Sequence, residues 1–355
     1  MKVLLIAPRA PQLDGKGDQI RAAVLAAAIG RHHEVEVFVP AAGGVRRVLS
    51  ALADVILGRP AQVGFSMPHG AWARASAAAA DADVVVAITV RAVRGPLATP
   101  LIVDHVDALS QNWALRAAGS ECLTRRLVAR VEAARLPRWE RRVAGWAVAQ
   151  LAVSQQEAAA LPGAPAVLVV PHVVAFEIPV ETARDIDVVF TGNMGYPPNR
   201  EAALWLDREI LPALHALRAS ARVVVAGRGA DRLPLRDAEV MSDVPSIPAV
   251  LARSRVAIVP LIGIGTGAPT KALEAAACGA ALVVTPWMNE RLPLPARVAS
   301  DAAGLAVEAA ALLADETVRA ELAAAARRAL LPHGVEQIAD QLDAALEAAR
   351  APIPS

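Results

Sequence analysis

The chain has 355 residues, 55% hydrophobic and 20% charged, enough apolar material for two middle-sized cores rather than one. Aromatic residues make up only 3%, which argues against stacking platforms for carbohydrate or single-stranded nucleic acid, and 36 Lys/Arg against 35 Asp/Glu is not the balance of a DNA-binding protein. Two cysteines, Cys122 and Cys278, without a CxxC or Cys/His cluster argue against a disulfide scaffold or structural zinc site.

The first apolar run, Lys2–Ala7, ends at Pro8 and reads as a central parallel strand; it is too short for a signal peptide. A glycine- and aspartate-bearing loop, Asp14–Asp18, leads to a helix over Gln19–Ile29, closed by Gly30 at a C-cap position. A second strand over His33–Val39 completes a βαβ unit. Further strands are expected at Asp83–Ile88, Leu101–Asp104, Leu151–Ser154 and Val167–Val170. Apolar residues at helical spacing predict a helix over 121–146, bent at Pro137. The proline-bearing segment 171–187 reads as a linker.

The alternation then restarts. Strands are expected at Asp187–Phe190, Arg222–Ala226, Val256–Pro260 and Ala281–Thr285, and helices at Ala202–Leu217, Ile247–Arg253 and Lys271–Cys278, with two more at 315–330 and 334–350. Two doubly wound α/β halves in tandem follow from this pattern. No window is long and apolar enough for a membrane-spanning helix, so a cytoplasmic enzyme is the default expectation.

One segment carries chemistry on local grounds. Gly263–Gly267 is a glycine-rich loop after a strand, and a helix begins near Thr270. Free backbone N–H groups and a helix N-terminus there suit a phosphate. Lys271 adds a cation for a diphosphate, and Glu274, one turn on, is placed to accept from ribose hydroxyls. The same pattern also fits a tight turn followed by a solvated helix face.

Thr270–Pro286 (Thr-Lys-Ala-Leu-Glu-Ala-Ala-Ala-Cys-Gly-Ala-Ala-Leu-Val-Val-Thr-Pro) resembles the donor-site signature of GT-B glycosyltransferases of the glycosyl transferase group 1 (GT4) family. Asp187–Asn199, with Trp205 and Leu211-Pro212 after it, Lys16-Gly17-Asp18-Gln19-Ile20-Arg21, and Asp104 to Trp113 resemble blocks of a bacterial GT4 subgroup that includes exosortase-system-associated sugar transferases. The resemblance implies a GT-B fold, two Rossmann-like parallel-sheet domains facing a central cleft. It places an acceptor-binding domain at 1–178 and a donor-binding domain at 179–333, with a C-terminal helix at 334–355 packing back on the first domain. The implied activity is transfer of a sugar from a nucleoside-diphosphate sugar to an acceptor hydroxyl, with retention, without metal or other cofactor, in bacterial cell-surface glycan or specialised-metabolite synthesis.

Carried onto this sequence, the donor site takes Gly15, Gly17, Gly192, Asn193, Asn199, Arg200, Arg228, Gly265, Thr266, Gly267, Thr270, Lys271 and Glu274. Asp18, Asp104, His105 and Asp107 are the catalytic candidates, and Lys16, Arg21 and Trp113 are the acceptor-side candidates. Asp18 also fits an N-cap, His105 a lone hydrogen-bonded histidine, Asp107 a turn residue and Trp113 a packing residue. The chain departs from the family where many members carry a glutamate eight positions before Glu274; Thr266 stands there. It departs again where many carry an Arg and a Lys, six apart, against the diphosphate; Asn193 and Asn199 stand there, leaving Arg200 or Arg228 to supply charge. A nucleotide-sugar epimerase and a non-catalytic nucleotide- or partner-binding protein remain the alternatives. Arg116–Arg142 holds eight Arg and three Glu. It reads either as a solvated face or as a basic helix in peripheral contact with the inner face of a membrane, where a lipid-linked acceptor would lie.

Overall fold

The computed structural model describes the chain except for residues 14–16, 42, 120–121, 162–164, 175–182, 263–269 and 351–355. The chain divides into two compact units, residues 1–175 with 333–355, and residues 176–332.

In the first unit, six strands form one parallel sheet: β1 (Lys2–Ile6), β2 (Glu34–Phe38), β3 (Val84–Ile88), β4 (Leu101–Asp104), β5 (Ala149–Ala152) and β6 (Val167–Val169), in the order β2-β1-β3-β4-β5-β6. The central strands are unbroken Val/Ile/Leu runs because helices cover both faces, leaving no polar side to alternate with. Successive side chains of β1 divide between two cores. Leu5 joins Val86, Ile102 and the helices Gly17–Ile29 and Val335–Arg350, while Leu4 and Ile6 join Val85, Met67, Leu136 and Trp139 on the other face.

The second unit holds β7 (Ile186–Thr191), β8 (Val223–Ala226), β9 (Glu239–Met241), β10 (Ser254–Val259), β11 (Ala281–Val284) and β12 (Arg297–Val298), all parallel in the order β12-β11-β10-β7-β8-β9. The unit's first strand is central. The chain runs outward through β8 and β9, then returns to the other side of β7 at β10. The strand order therefore reverses between β7 and β10, and in the first unit between β1 and β3. Doubly wound sheets open a crevice at the carboxyl ends of the strands at such reversals.

The sequence reading locates the α/β class and most strands within one or two residues. The helix expected over Ala202–Leu217 is instead three in-line pieces: Pro197–Trp205, a π-helical turn over Leu206–Ile210, and Leu211–Leu217. Pro212 has no N–H for the regular ladder. Asp207, buried in the turn, accepts the backbone N–H groups of Arg236, Asp237 and Ala238 at 2.9, 3.1 and 3.0 Å. The sequence reading did not assign the helices Gly44–Ile56, Ala61–Ser66, His69–Ala79, Leu109–Gly119 and Ala302–Ala314.

Candidate functional site

In the second unit the polar residues gather at the β7/β10 reversal. Gly192 and Asn193 follow β7, Gly227 and Arg228 follow β8, and the helix Thr270–Ala277 follows β10 after a loop. The ends of β7 and β8 touch backbone to backbone. Gly192 N–H donates to the Ala226 carbonyl at 2.9 Å, and Gly227, at φ +124°, faces the Gly192 carbonyl where any Cβ would collide. Only glycine suits both that conformation and that approach.

Gly192 is itself a convergence point. A Cβ there would lie 2.9 Å from Asn199 Nδ2 and 3.1 Å from Lys271 Cε. Asn199 is 4% exposed and donates through Nδ2 to the Asn193 carbonyl at 2.9 Å, while its Oδ1 is buried with no hydrogen-bond partner. Burial pushes the Lys271 ammonium below the usual lysine range, against a smaller opposing effect of Glu274. Burial pushes the Glu274 carboxyl up, and Lys271 and the Thr270 hydroxyl offset part of that rise. The pair thus holds an under-solvated cation and an under-solvated acid one helical turn apart, beside a glycine and an orphaned amide oxygen. An anion against Lys271 would restore the charge balance that burial disturbs. Arg200, Arg228 and Asn193 are exposed at the rim. Gly265, Thr266 and Gly267 lie outside the described residues.

In the first unit the corresponding cluster sits at the ends of β1, β3 and β4. Asp18 accepts a fork from Arg9, Nε to Oδ2 at 3.0 Å and Nη2 to Oδ1 at 2.9 Å, and Arg91 Nη2 lies 3.6 Å from Oδ2. The helix starts at Gly17, so Asp18 lies inside its first turn and does not cap it. Gly15 and Lys16 lie outside the described residues, and Gly17 is exposed.

Asp104 and Arg21 have no atoms to spare for a substrate. Asp104 is fully buried; its Oδ2 accepts Arg21 Nε and its Oδ1 accepts the Val106 N–H, both at 2.8 Å. Arg21, 1% exposed, spends its remaining nitrogens on the carbonyls of Val170 and Pro171 at 2.8 Å. The geometry gives them a bracing role, tying β4 to the helix Gly17–Ile29 and to the segment after β6. His105 is buried beside them, with Nε2 against Gln150 Oε1 at 2.9 Å, and burial pushes its imidazole below the usual histidine range.

Asp107 differs from these. It is partly exposed, its Oδ2 accepts from Asn112 Nδ2 at 2.8 Å, and burial pushes its carboxyl up to about 6 despite Asn112 and Arg91. A carboxyl in that range exchanges protons near neutrality. The turn that presents it is strained. Val106 has φ +59° and Thr89, at the end of β3, φ +64°; the Thr89 N–H bonds the Asp104 carbonyl at 2.6 Å. A β-branched residue in this region costs on the order of 1–3 kcal/mol and persists only where its surroundings enforce it, here through the Asp104 carboxylate.

Trp113 is partly buried beneath the Arg116 guanidinium, 5.1 Å from its ring centroid, and packs against the core. The sequence reading missed Arg9 and Arg91, two cations that meet Asp18. Neither lies in a recognisable motif, and only the fold brings them to Asp18. Among the described residues, no group of three His, Cys, Asp or Glu could hold a metal ion.

Two parallel doubly wound units in tandem, each with its polar groups at the carboxyl ends of its strands, are the GT-B architecture. Residues 185–331 match the family model described as glycosyl transferases group 1. No curated protein matches the sequence. Among solved structures, HepE of Anabaena in complex with UDP-glucose is similar with a TM-score of 0.65 at 16% identity, covering 98% of this chain and 100% of that one. Sucrose-phosphate synthase of Thermosynechococcus elongatus is similar with a TM-score of 0.66 at 15% identity, covering 98% of both chains. WaaG, a glycosyltransferase of lipopolysaccharide biosynthesis, is similar with a TM-score of 0.64 at 14% identity, covering 98% and 99%.

Proposed function

We propose that this protein is a glycosyltransferase of the glycosyl transferase group 1 type, moving a sugar from a nucleoside-diphosphate donor to an acceptor hydroxyl with retention and without a metal cofactor. The observation that carries this reading is the convergence of Lys271 and the orphaned Asn199 amide on Gly192, within the segment that matches the family model. Lys271 and backbone N–H groups take the diphosphate, and Glu274 takes the ribose hydroxyls. Asn199 stands where many family members carry a lysine, so Lys271 does more of the charge neutralisation here. On the acceptor side Asp107 is the group able to receive or orient a hydroxyl proton, with Arg91 and Arg116 holding negative charge near it. UDP is the first nucleotide to test, because the similar HepE structures hold UDP with glucose or UDP-glucose.

The test is a thermal-shift series against UDP, GDP, ADP, CMP and dTDP with the wild type, Glu274→Ala and Gly192→Ala. One nucleotide should raise the midpoint of the wild type. Gly192→Ala, whose methyl crowds Asn199 and Lys271, should abolish the rise. Glu274→Ala should weaken binding by roughly tenfold or more, the usual cost of a charge-assisted hydrogen bond. A wild type indifferent to all five would refute the donor site. A shift without transfer to any acceptor would leave a nucleotide-binding protein.

A further inference from the structure

The helix Gly44–Ile56 is turned inside out for a soluble protein. Its buried side is polar: Ser50 and Asp54, one turn apart, face inward, Asp54 gripping Arg94 at 2.8 and 2.7 Å and Ser50 Oγ meeting His69 Nδ1 at 3.1 Å. Its outer side is apolar. Val45 (74% exposed), Val48 (50%), Leu49 (60%), Leu52 (55%) and Ile56 (85%) form a stripe at helical spacing, continued by exposed Leu57 and Phe65. A helix normally buries such a stripe, since each side chain of this size gains roughly 1.5–3 kcal/mol on leaving water.

The stripe does not stand alone. The next segment docks on the helix Leu123–Ala144: the Ala61 N–H donates to buried Glu132 at 2.8 Å, and Arg135 donates to the Arg59 carbonyl at 3.2 Å. That helix exposes Leu123, Leu127, Val128 and Val131. Among the described residues, the exposed charges on these helices have one sign. Arg46, Arg74, Arg125 and Arg130 are exposed, whereas the acids of these helices among the described residues, Asp54, Glu132 and Glu140, are buried. Beside the stripe, Arg46, Arg74 and His69 line a cavity of about 340 Å³ whose other walls include Leu49 and Ala53.

We propose that this face of the first unit docks on an anionic lipid bilayer, with the helix Gly44–Ile56 lying in the interface plane. An apolar stripe rimmed by arginines matches acyl chains flanked by phosphates, and the one-signed charge favours that surface over a second copy of this chain, whose same face would repel it. Arg46 and Arg74 then reach headgroup phosphates at the cavity mouth. The helix inserts sideways and does not cross: no helix among the described residues is long and apolar enough to span a membrane. This inference rests on the exposed helix and not on the transfer reaction, so either can fail without the other.

The test is flotation of the full chain with phosphatidylcholine vesicles, with and without phosphatidylglycerol, at low and high salt. Wild type should float with the phosphatidylglycerol vesicles, more weakly at high salt. Leu52→Ser with Ile56→Ser should weaken binding by roughly tenfold or more while leaving the circular dichroism spectrum and unfolding midpoint intact, because both side chains are already solvated. Arg46→Gln with Arg74→Gln should remove the preference for the anionic lipid. Val307→Ser with Leu331→Ser, exposed apolar positions elsewhere, should change nothing. Wild type that fails to float would overturn the proposal. So would binding unaffected by the Leu52/Ile56 pair, or a dimer dissolved by that pair in protein that ignores vesicles.

Discussion

Asp107 and Asp104 show how two carboxylates three residues apart divide their work. Asp104 is hydrogen-bonded through both oxygens; Asp107 has one amide donor and is raised to about 6 by burial. Because burial lifts this pKa above the unfolded aspartate value, the folded chain is favoured most while the group is protonated. That stability is fully present below about pH 4 and is lost as pH rises through 6. Asp107→Asn should therefore flatten the pH dependence of urea unfolding and stabilise the protein by up to about 2–3 kcal/mol at pH 7.5, while lowering transfer. A variant as pH-dependent as wild type would remove Asp107 from that role. Arg21→Ala leaves Asp104 charged, buried and unpaired, and should cost about 3–5 kcal/mol in the same measurement.

Among the elements, the strand end at Gly227 tolerates no side chain. Gly227→Ala must hold φ +124° and push its methyl into the Gly192 carbonyl, so it should lower unfolding stability by several kcal/mol whether or not nucleotide is present, unlike Gly192→Ala, whose methyl meets movable side chains. Strands such as Val84–Ile88 were legible because a buried parallel strand is written as an uninterrupted apolar run. The helix Gly44–Ile56 was not, because sequence periodicity gives an apolar stripe but not the direction it faces, and its neighbours are alanine-rich. The family resemblance was legible from Thr270–Pro286, a stretch that lies within the segment matching the family model. The bracing of Asp104 by Arg21 was not, since those side chains are 83 residues apart and meet only through the fold. The same holds for Arg91 beside Asp18, which no local spacing announces.

At the scale of the molecule, the helix Val335–Arg350 belongs to the first unit although it follows the second in the chain. Ile338, Leu342 and Leu346 are buried against the helix Gly17–Ile29 and the β1/β3 side of the sheet, Arg31 pairs with Glu336 at 3.1 Å, and His33 Nε2 lies 2.7 Å from Asp343 Oδ1. Removing residues 333–355 should uncover that core and unfold the first unit while the second keeps its protection. Hydrogen exchange read by mass spectrometry should show fast exchange across β1–β6 and slow exchange across β7–β11. Uniform protection, or loss in both units, would contradict it.

That return of the chain also sets a schedule for biosynthesis. A ribosome emits the six strands of the first sheet and the helix Gly17–Ile29 long before the helix that completes the cover of one face, and it emits the whole of residues 176–332 in between. The second unit can therefore reach its final form on the nascent chain while the first waits with the outer side of the helix Gly17–Ile29 and part of β3 uncovered. The first-made part of this protein is the last to be finished, and the interval before Val335–Arg350 arrives is when a holding chaperone would find an apolar surface to grip.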